Sequence, residues 1–234
     1  MFIHEMFQQK PCVFSVEVFP PKKAGAAEET LYPVLRELCT LGPDYISVTY
    51  GAGGGTAGQS TAKIASYIKN GLHVEALAHL TCVNSTRVQV EETLTRLRED
   101  NVENVLALRG DINPDLPRRM DFLHASDLAK AIAQTGGFGV AGACYPEGHL
   151  ESPSLKADVE SLRYKAEAGV SHLITQLFFD NVSYYRFLNM ARKAGISLPV
   201  QAGIMPIVSK RQIERTVATK NRMSIETTKD GITI

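Results

Sequence analysis

VEALAHLT (74–81), TRVQVEETLTRLRE (86–99) and NVLALRG (104–110) follow one another with short gaps, and this order decides the reading of the whole chain. The outer two are hydrophobic runs of strand length; the middle one repeats apolar residues at helical spacing. Two parallel strands joined by a crossover helix is the fold such a unit predicts. Each strand also ends near a polar group, His79 in the first and Asp111 just past the second.

The pattern extends in both directions. Strand-like runs CVFSVEVF (12–19), YISVTY (45–50), GVAGACYP (139–146), HLITQLFF (172–179) and PVQAGIMP (199–206) alternate with helical patterns over 28–41, 57–70, 124–135, 154–168 and 181–194. The period is roughly 30 residues, one βα unit each. Glycine follows several helices, as in Ala168-Gly169 and Ala194-Gly195, where a left-handed cap suits it. Seven units without a break in composition predict an α/β protein, a (β/α)8 TIM barrel either truncated at its C-terminal side or with a divergent last unit. An open doubly wound sheet is the structural alternative. Residues 1–215 are assigned to the barrel and 216–234 to a divergent tail.

Alternation along each strand separates two faces. Ser15 and Glu17 oppose Phe14, Val16 and Val18; Ser47 and Thr49 oppose Ile46 and Val48; Arg109 and Asp111 oppose Leu106 and Leu108. The polar set is expected to look into the barrel and the apolar set to pack the helices.

Lys+Arg and Asp+Glu are both 25 in 234 residues, a formal charge of +0, which argues against nucleic-acid and membrane-surface partners. No apolar run approaches the ~20 residues of a membrane span, and MFIHEMFQQKPC lacks the organisation of a secretion signal. A cytoplasmic location is expected. Cys12, Cys39, Cys82 and Cys144 form no C-x-x-C pair and read as buried free thiols. No second His or Cys stands at ligand spacing from His79, so no metal is expected.

Chemistry is concentrated at the strand ends: Glu17, Thr49, His79, Asp111, Tyr145 and Gln176. In a barrel such ends converge on one face, where polar groups serve a ligand. A carboxyl group at Glu17, in an apolar mouth, resists ionisation and becomes a general acid near neutrality; a structural, base-paired Glu is the alternative. Asp111 could stabilise a cation or tune a cofactor's charge, or pair with Arg109. Gly110 allows close ligand approach or an unusual backbone conformation. Asp158 and Lys165, two helical turns apart, read either as solvated surface or as one flank of a cofactor groove. Gln176 sits within an apolar run and is expected to be a buried amide seeking partners. G-x-G-x-x-G occurs at 53–58, but it follows the second strand, and no acidic residue ends the next one. A glycine loop at a barrel mouth is therefore favoured over a dinucleotide fingerprint.

FSVEVFPP, DYISVTYGA, AHLTC, ALRGD, HASDL, YPEGH, ITQLFFD and GIMPIVS, in this order between about residues 12 and 215, resemble the bacterial 5,10-methylenetetrahydrofolate reductase family. The resemblance implies a barrel carrying FAD across its strand tops, NADH or NADPH as co-substrate, and methylenetetrahydrofolate as the small molecule reduced to 5-methyltetrahydrofolate. By the same resemblance Glu17 is the general acid that opens the folate's imidazolidine ring to a 5-iminium cation, and Asp111 holds negative charge near that cation and the flavin. Thr49, Tyr50, Ala52, His79, Leu108, Arg109, Gly110, Asp111, Ala125, Tyr145, His149, Asp158 and Lys165 fall on FAD-lining positions. Asp111, Tyr145, Gln176 and Gln212 fall on folate-contacting ones. The chain departs from the family at Tyr164, often a basic residue, and at Ser161, often Asn. After Arg215 the tail TVATKNRMSIETTKDGITI does not resemble the family, which continues through an eighth strand bearing a folate-binding Arg. A seven-strand barrel would keep an unpaired edge prone to association, so a homo-oligomer is expected. The alternative function is a non-catalytic barrel that binds flavin or folate.

Overall fold

The computed structural model describes residues 1–21, 23, 25–50, 57–112, 119–210, 212, 214, 226–228 and 231–233. Seven strands make a parallel sheet: β1 Ser15–Val18, β2 Tyr45–Val48, β3 Glu75–Thr81, β4 Asn104–Leu108, β5 Gly139–Cys144, β6 His172–Thr175 and β7 Val200–Gln201. Their spatial order is their chain order, β1 through β7, and every pairing is parallel. A doubly wound sheet reverses its order at a switch point; this one never does. A crossover after each strand in the same direction puts the crossover helices on the outer face of the sheet, which curls into an open half-barrel. The curl brings Gln201 of β7 to Ser15 of β1, with Nε2 donating to Oγ at 2.9 Å, and Gln201 Oε1 accepts from the Tyr45 hydroxyl. β1 and β7 share no ladder among the described residues. Two short strands, β8 Glu226–Thr228 and β9 Gly231–Thr233, pair antiparallel in a separate ribbon.

The helices lie where the 3.6-residue pattern put them. They are α2 Tyr32–Cys39, entered through a π-turn at Ala27–Leu31; α3 Ala57–Ser66, left through a π-turn at Tyr67–Gly71; α4 Arg87–Glu99; α5 Ala125–Thr135; α6 Leu155–Glu167; and α7 Asn181–Lys193. Side-chain caps set three starts: Thr86 accepts from the N–H of Gln89, Ser154 from Ala157 and Asp180 from Val182. Val18, Ile46, Val48, Ala78, Leu80, Val105, Ala107, Val140 and Leu173 pack outward against Leu35, Ile64, Leu94, Leu128, Leu162 and Phe187 of the helices.

A second, smaller core fills the barrel's lower interior: Tyr45, Leu77, Leu106 and Ala141 from four strands, closed by Ile3 and Met6. The last two belong to α1 Ile3–Gln9, a helix the sequence reading did not anticipate. Asn104, fully buried, holds it by accepting from the Ile3 N–H at 2.9 Å.

Two expectations about facing are corrected. Leu106 and Leu108 belong with the inner core, not the helix side, while Val105 and Ala107 pack against the helices. The lower barrel is apolar, so leucine suits the inside there. β4 ends at Leu108, and Gly110 at φ +87° lies beyond it, so counting back from Arg109 and Asp111 gave the wrong parity. Phe14 is exposed beside β1, an edge strand. Cys82 and Cys144 are buried free thiols as expected, Cys39 is partly buried and Cys12 is exposed.

Candidate active site

The strand ends open into one cleft of about 1730 Å3. That exceeds the ~300–1,000 Å3 of pockets that hold drug-sized ligands. Glu17, Thr49, Tyr50, His79, Leu108, Arg109, Gly110, Asp111, Ala125, Tyr145, His149, Asp158, Lys165 and Gln176 all line it. Ala52 and most of the glycine run lie outside the described residues. Gln212 is not on the cleft wall. Its amide closes a local turn, donating to the Pro206 carbonyl at 3.0 Å and accepting from the Val208 N–H at 3.0 Å.

One end of the cleft is built on β1 to β3. Glu17 Oε2 stands 3.6 Å from His79 Nε2, which also meets Ser47 Oγ at 2.6 Å. Burial pushes the His79 imidazole down to about 4, so at neutral pH it is uncharged and gives Glu17 no cation. Desolvation therefore governs Glu17 and raises its pKa, although half of the side chain faces the cleft. The shift is in the direction a proton-donating carboxyl group requires.

The wall opposite is built on β4, β5 and α6. Gly110 is required by two observations: its φ is +87°, and a Cβ there would come within 3.1 Å of Thr81 Cβ and 3.2 Å of Val83 Cγ1. Asp111 follows it, exposed at the rim. The Arg109–Asp111 pair considered from sequence does not form as a hydrogen-bonded one. Arg109 instead forks onto Glu151, Nη1 to Oε2 at 2.5 Å and Nη2 to Oε1 at 2.7 Å. Glu151 was missed because nothing local marks it; it follows the YPEGH stretch in a loop whose course the sequence does not show.

Asp158 and Lys165 are not solvated surface. Both turn into the cleft wall, where burial drives Asp158 up and Lys165 down, each towards its neutral form. The Lys165 ammonium donates to the Ala143 carbonyl and lies 5.9 Å over the Tyr145 ring. Tyr145 packs edge-on against His149, centroids 4.7 Å apart, and burial raises its phenol to about 12. The His149 N–H donates to Asp158 Oδ2 at 3.2 Å, fixing the loop to α6. Gln176 corrects its expectation: it is exposed at the rim, its Oε1 accepting from the Leu177 N–H at 2.9 Å. β6 ends at Thr175, so Gln176 has left the apolar run for the mouth. Ser161 and Tyr164, the departures noted above, also line the cleft.

The donor set fits a phosphorylated aromatic cofactor: a guanidinium fork, an ammonium and an imidazole on one wall, with aromatic faces beside them.

A family model described as methylenetetrahydrofolate reductase matches residues 2–226. The chain is 36% identical over 207 residues to the 5,10-methylenetetrahydrofolate reductase of Pectobacterium carotovorum subsp. carotovorum, covering 88% of this chain and 68% of that one. It is 35% identical over 201 residues to the Escherichia coli enzyme of the same name, covering 86% and 67%. Against methylenetetrahydrofolate reductase (NADH) 1 of Arabidopsis thaliana it is 36% identical over 220 residues, covering 88% of this chain and 37% of that one. Among solved structures, oxaloacetate acetylhydrolase superposes with a TM-score of 0.57 at 11% identity over 99% of this chain and 90% of that one. A 2,3-dimethylmalate lyase gives 0.59 at 12% identity, covering 91% and 76%. At such identity these two speak for the fold alone.

Proposed function

The chain belongs to the methylenetetrahydrofolate reductase family, and from that premise we propose that it reduces 5,10-methylenetetrahydrofolate to 5-methyltetrahydrofolate with electrons from NADH or NADPH. FAD, held along the Arg109–Lys165 wall, supplies the hydride relay when bound. Arg109, His149 and Lys165 are the groups for its phosphates, and Gly110 makes the tight turn between Arg109 and Asp111. Asp158 and Tyr145 offer polar contacts along the same wall.

For the folate, the residues have a clear division of labour. An uncharged aminal is a poor hydride acceptor and an iminium a strong one, so a proton must come first. Glu17, raised by desolvation and with no cation beside it, is the acid for that step. Asp111, on the facing wall, is the anion placed to stabilise the cation that results. Gln176, at the rim, is positioned to meet the pterin's donors and acceptors. The observation that carries the reading is that Glu17 and Asp111, 94 residues apart in sequence, line one cleft.

The test is direct. Purified protein should carry or take up flavin, with its visible absorbance, and should oxidise NADH or NADPH in a methylenetetrahydrofolate-dependent way. Tight flavin binding without turnover would instead favour a barrel that binds but does not react. A family homo-oligomer and a cytoplasmic site of action belong to the same proposal.

A further inference from the structure

We propose that Ser47 is a positioning residue for the acid: its hydroxyl holds His79 in the tautomer whose Nε2 is bare, so the imidazole turns a lone pair rather than an N–H towards Glu17. The inference rests on the reading of Glu17 as proton donor given above.

The sheet register brings the three residues together. Glu17 of β1 and Ser47 of β2 are partners across the parallel ladder, and Ser47 in turn pairs with Leu77 of β3. Leu77 packs in the inner core, and His79, two residues on, shares its inward face. The imidazole Nε2 stands 2.6 Å from Ser47 Oγ and 3.6 Å from Glu17 Oε2. One nitrogen therefore faces both groups but is hydrogen-bonded to the serine alone.

The direction of that hydrogen bond follows from what Ser47 can do with its own hydrogen. Ser47 is 4% exposed, and among the described residues its hydroxyl has Nε2 as its one partner. Accepting from an Nε2–H would strand the hydroxyl hydrogen, a costly outcome in a protein interior. Donating to a bare Nε2 satisfies both atoms and leaves the ring hydrogen on Nδ1. The orphaned buried ring nitrogens among the described residues belong to His4 and His172, so an N–H at His79 Nδ1 is not stranded. The bond made by one ring nitrogen thus decides the state of the other.

The tautomer matters to the acid. An N–H aimed at Glu17 would stabilise its carboxylate and draw the pKa down, whereas a lone pair aimed there does the reverse. Charge does not override this. Burial is the one cause of the shifts at both Glu17 and His79. Around them stand Tyr45 and Tyr50 on and just after β2, phenols raised by burial and un-ionised at neutral pH, while Arg109 and Asp111 line the cleft from the end of β4.

The experiment uses the full chain as purified, in wild type, Ser47→Ala, Ser47→Thr and Glu17→Gln. Nitrogen-15 NMR of histidine-labelled protein reads the His79 tautomer, its signals assigned by their loss in His79→Asn. Infrared absorption of the protonated carboxyl, assigned by its loss in Glu17→Gln, gives the Glu17 titration midpoint. Wild type is expected to carry the ring hydrogen on Nδ1. In Ser47→Ala the hydrogen should move to Nε2 and the proton affinity of Glu17 should fall about tenfold. Ser47→Thr, which keeps the hydroxyl, should retain both wild-type readings. A wild-type Nε2–H would overturn the proposal, as would a Glu17 midpoint in Ser47→Ala that stays put or moves without the tautomer. Failure of Ser47→Thr to retain the wild-type readings would overturn it too, by assigning the effect to packing. Neither measurement needs flavin or folate. A protein that behaves as expected yet does not reduce methylenetetrahydrofolate supports the role of Ser47 and sinks the reductase reading instead.

Discussion

Glu17 Oε2 lies 3.6 Å from His79 Nε2, and the contact joins an acid to an uncharged base. Geometry alone suggests an ion pair, which would lower the carboxyl pKa. Burial of the imidazole removes that possibility, and the carboxyl is left to rise. The acid strength of the site therefore depends on how well His79 is kept from water.

Glu17→Gln is expected to lower folate reduction by ~10²–10⁴-fold, the usual worth of general acid catalysis. Reduction of bound flavin by NADH or NADPH should survive, since no proton from Glu17 enters that half-reaction. Stopped-flow absorbance separates the two. Equal loss in both halves would assign Glu17 to binding instead.

The same substitution has a stability signature of fixed sign. The folded carboxyl has a pKa above its ordinary 4.5, so between those values the folded chain binds more protons than the unfolded one. Stability contributed by this group is present at acid pH and is lost as pH rises through the folded value. Glu17→Gln should raise Tm at pH 8, and the advantage should shrink towards pH 4.5. A Tm difference independent of pH would contradict the desolvated acid.

His172 supplies the opposite case. It is 1% exposed below the cleft, packs against Phe7, makes no hydrogen bond through either ring nitrogen, and is pushed down to about 4. As pH falls from the ordinary 6.5 to about 4, the unfolded chain takes up a proton that the folded chain refuses, and stability falls by as much as about 3 kcal/mol. His79 adds a second loss in the same window. His172→Leu should flatten part of that slope in urea unfolding from pH 7 to pH 4. Superimposable slopes would count against a buried neutral imidazole.

Gly110→Ala is expected to cost at least ~1 kcal/mol from the left-handed backbone alone. The approach of its Cβ to Thr81 and Val83 adds to that cost. Urea midpoints measure the loss. A variant as stable as wild type would mean that the floor between β3 and β4 yields more than its packing suggests.

Much of this was legible in the chain because two periods, 2.0 and 3.6, alternate without interruption, and because polar residues stand where strands end. What escaped has physical reasons. The α1 helix is seven residues long, without a side-chain cap, so its evidence lies in Leu77, Leu106 and Ala141, far along the chain. Facing in β4 was misassigned because one positive φ beyond its end breaks the count. Gln176 looked buried because its neighbours are apolar, yet β6 stops one residue before it. Glu151 carries no local mark at all; its partner is 42 residues away.

Ile3 makes its hydrogen bond with a residue 101 positions later and packs against Ala141. During synthesis, then, the first helix leaves the ribosome long before the surfaces that will receive it. Ile3 and Met6 must wait, greasy and uncovered, until β5 has emerged. Sealing the barrel floor is a late event of high contact order, which slows maturation. In the interval this helix is the segment a chaperone would grasp.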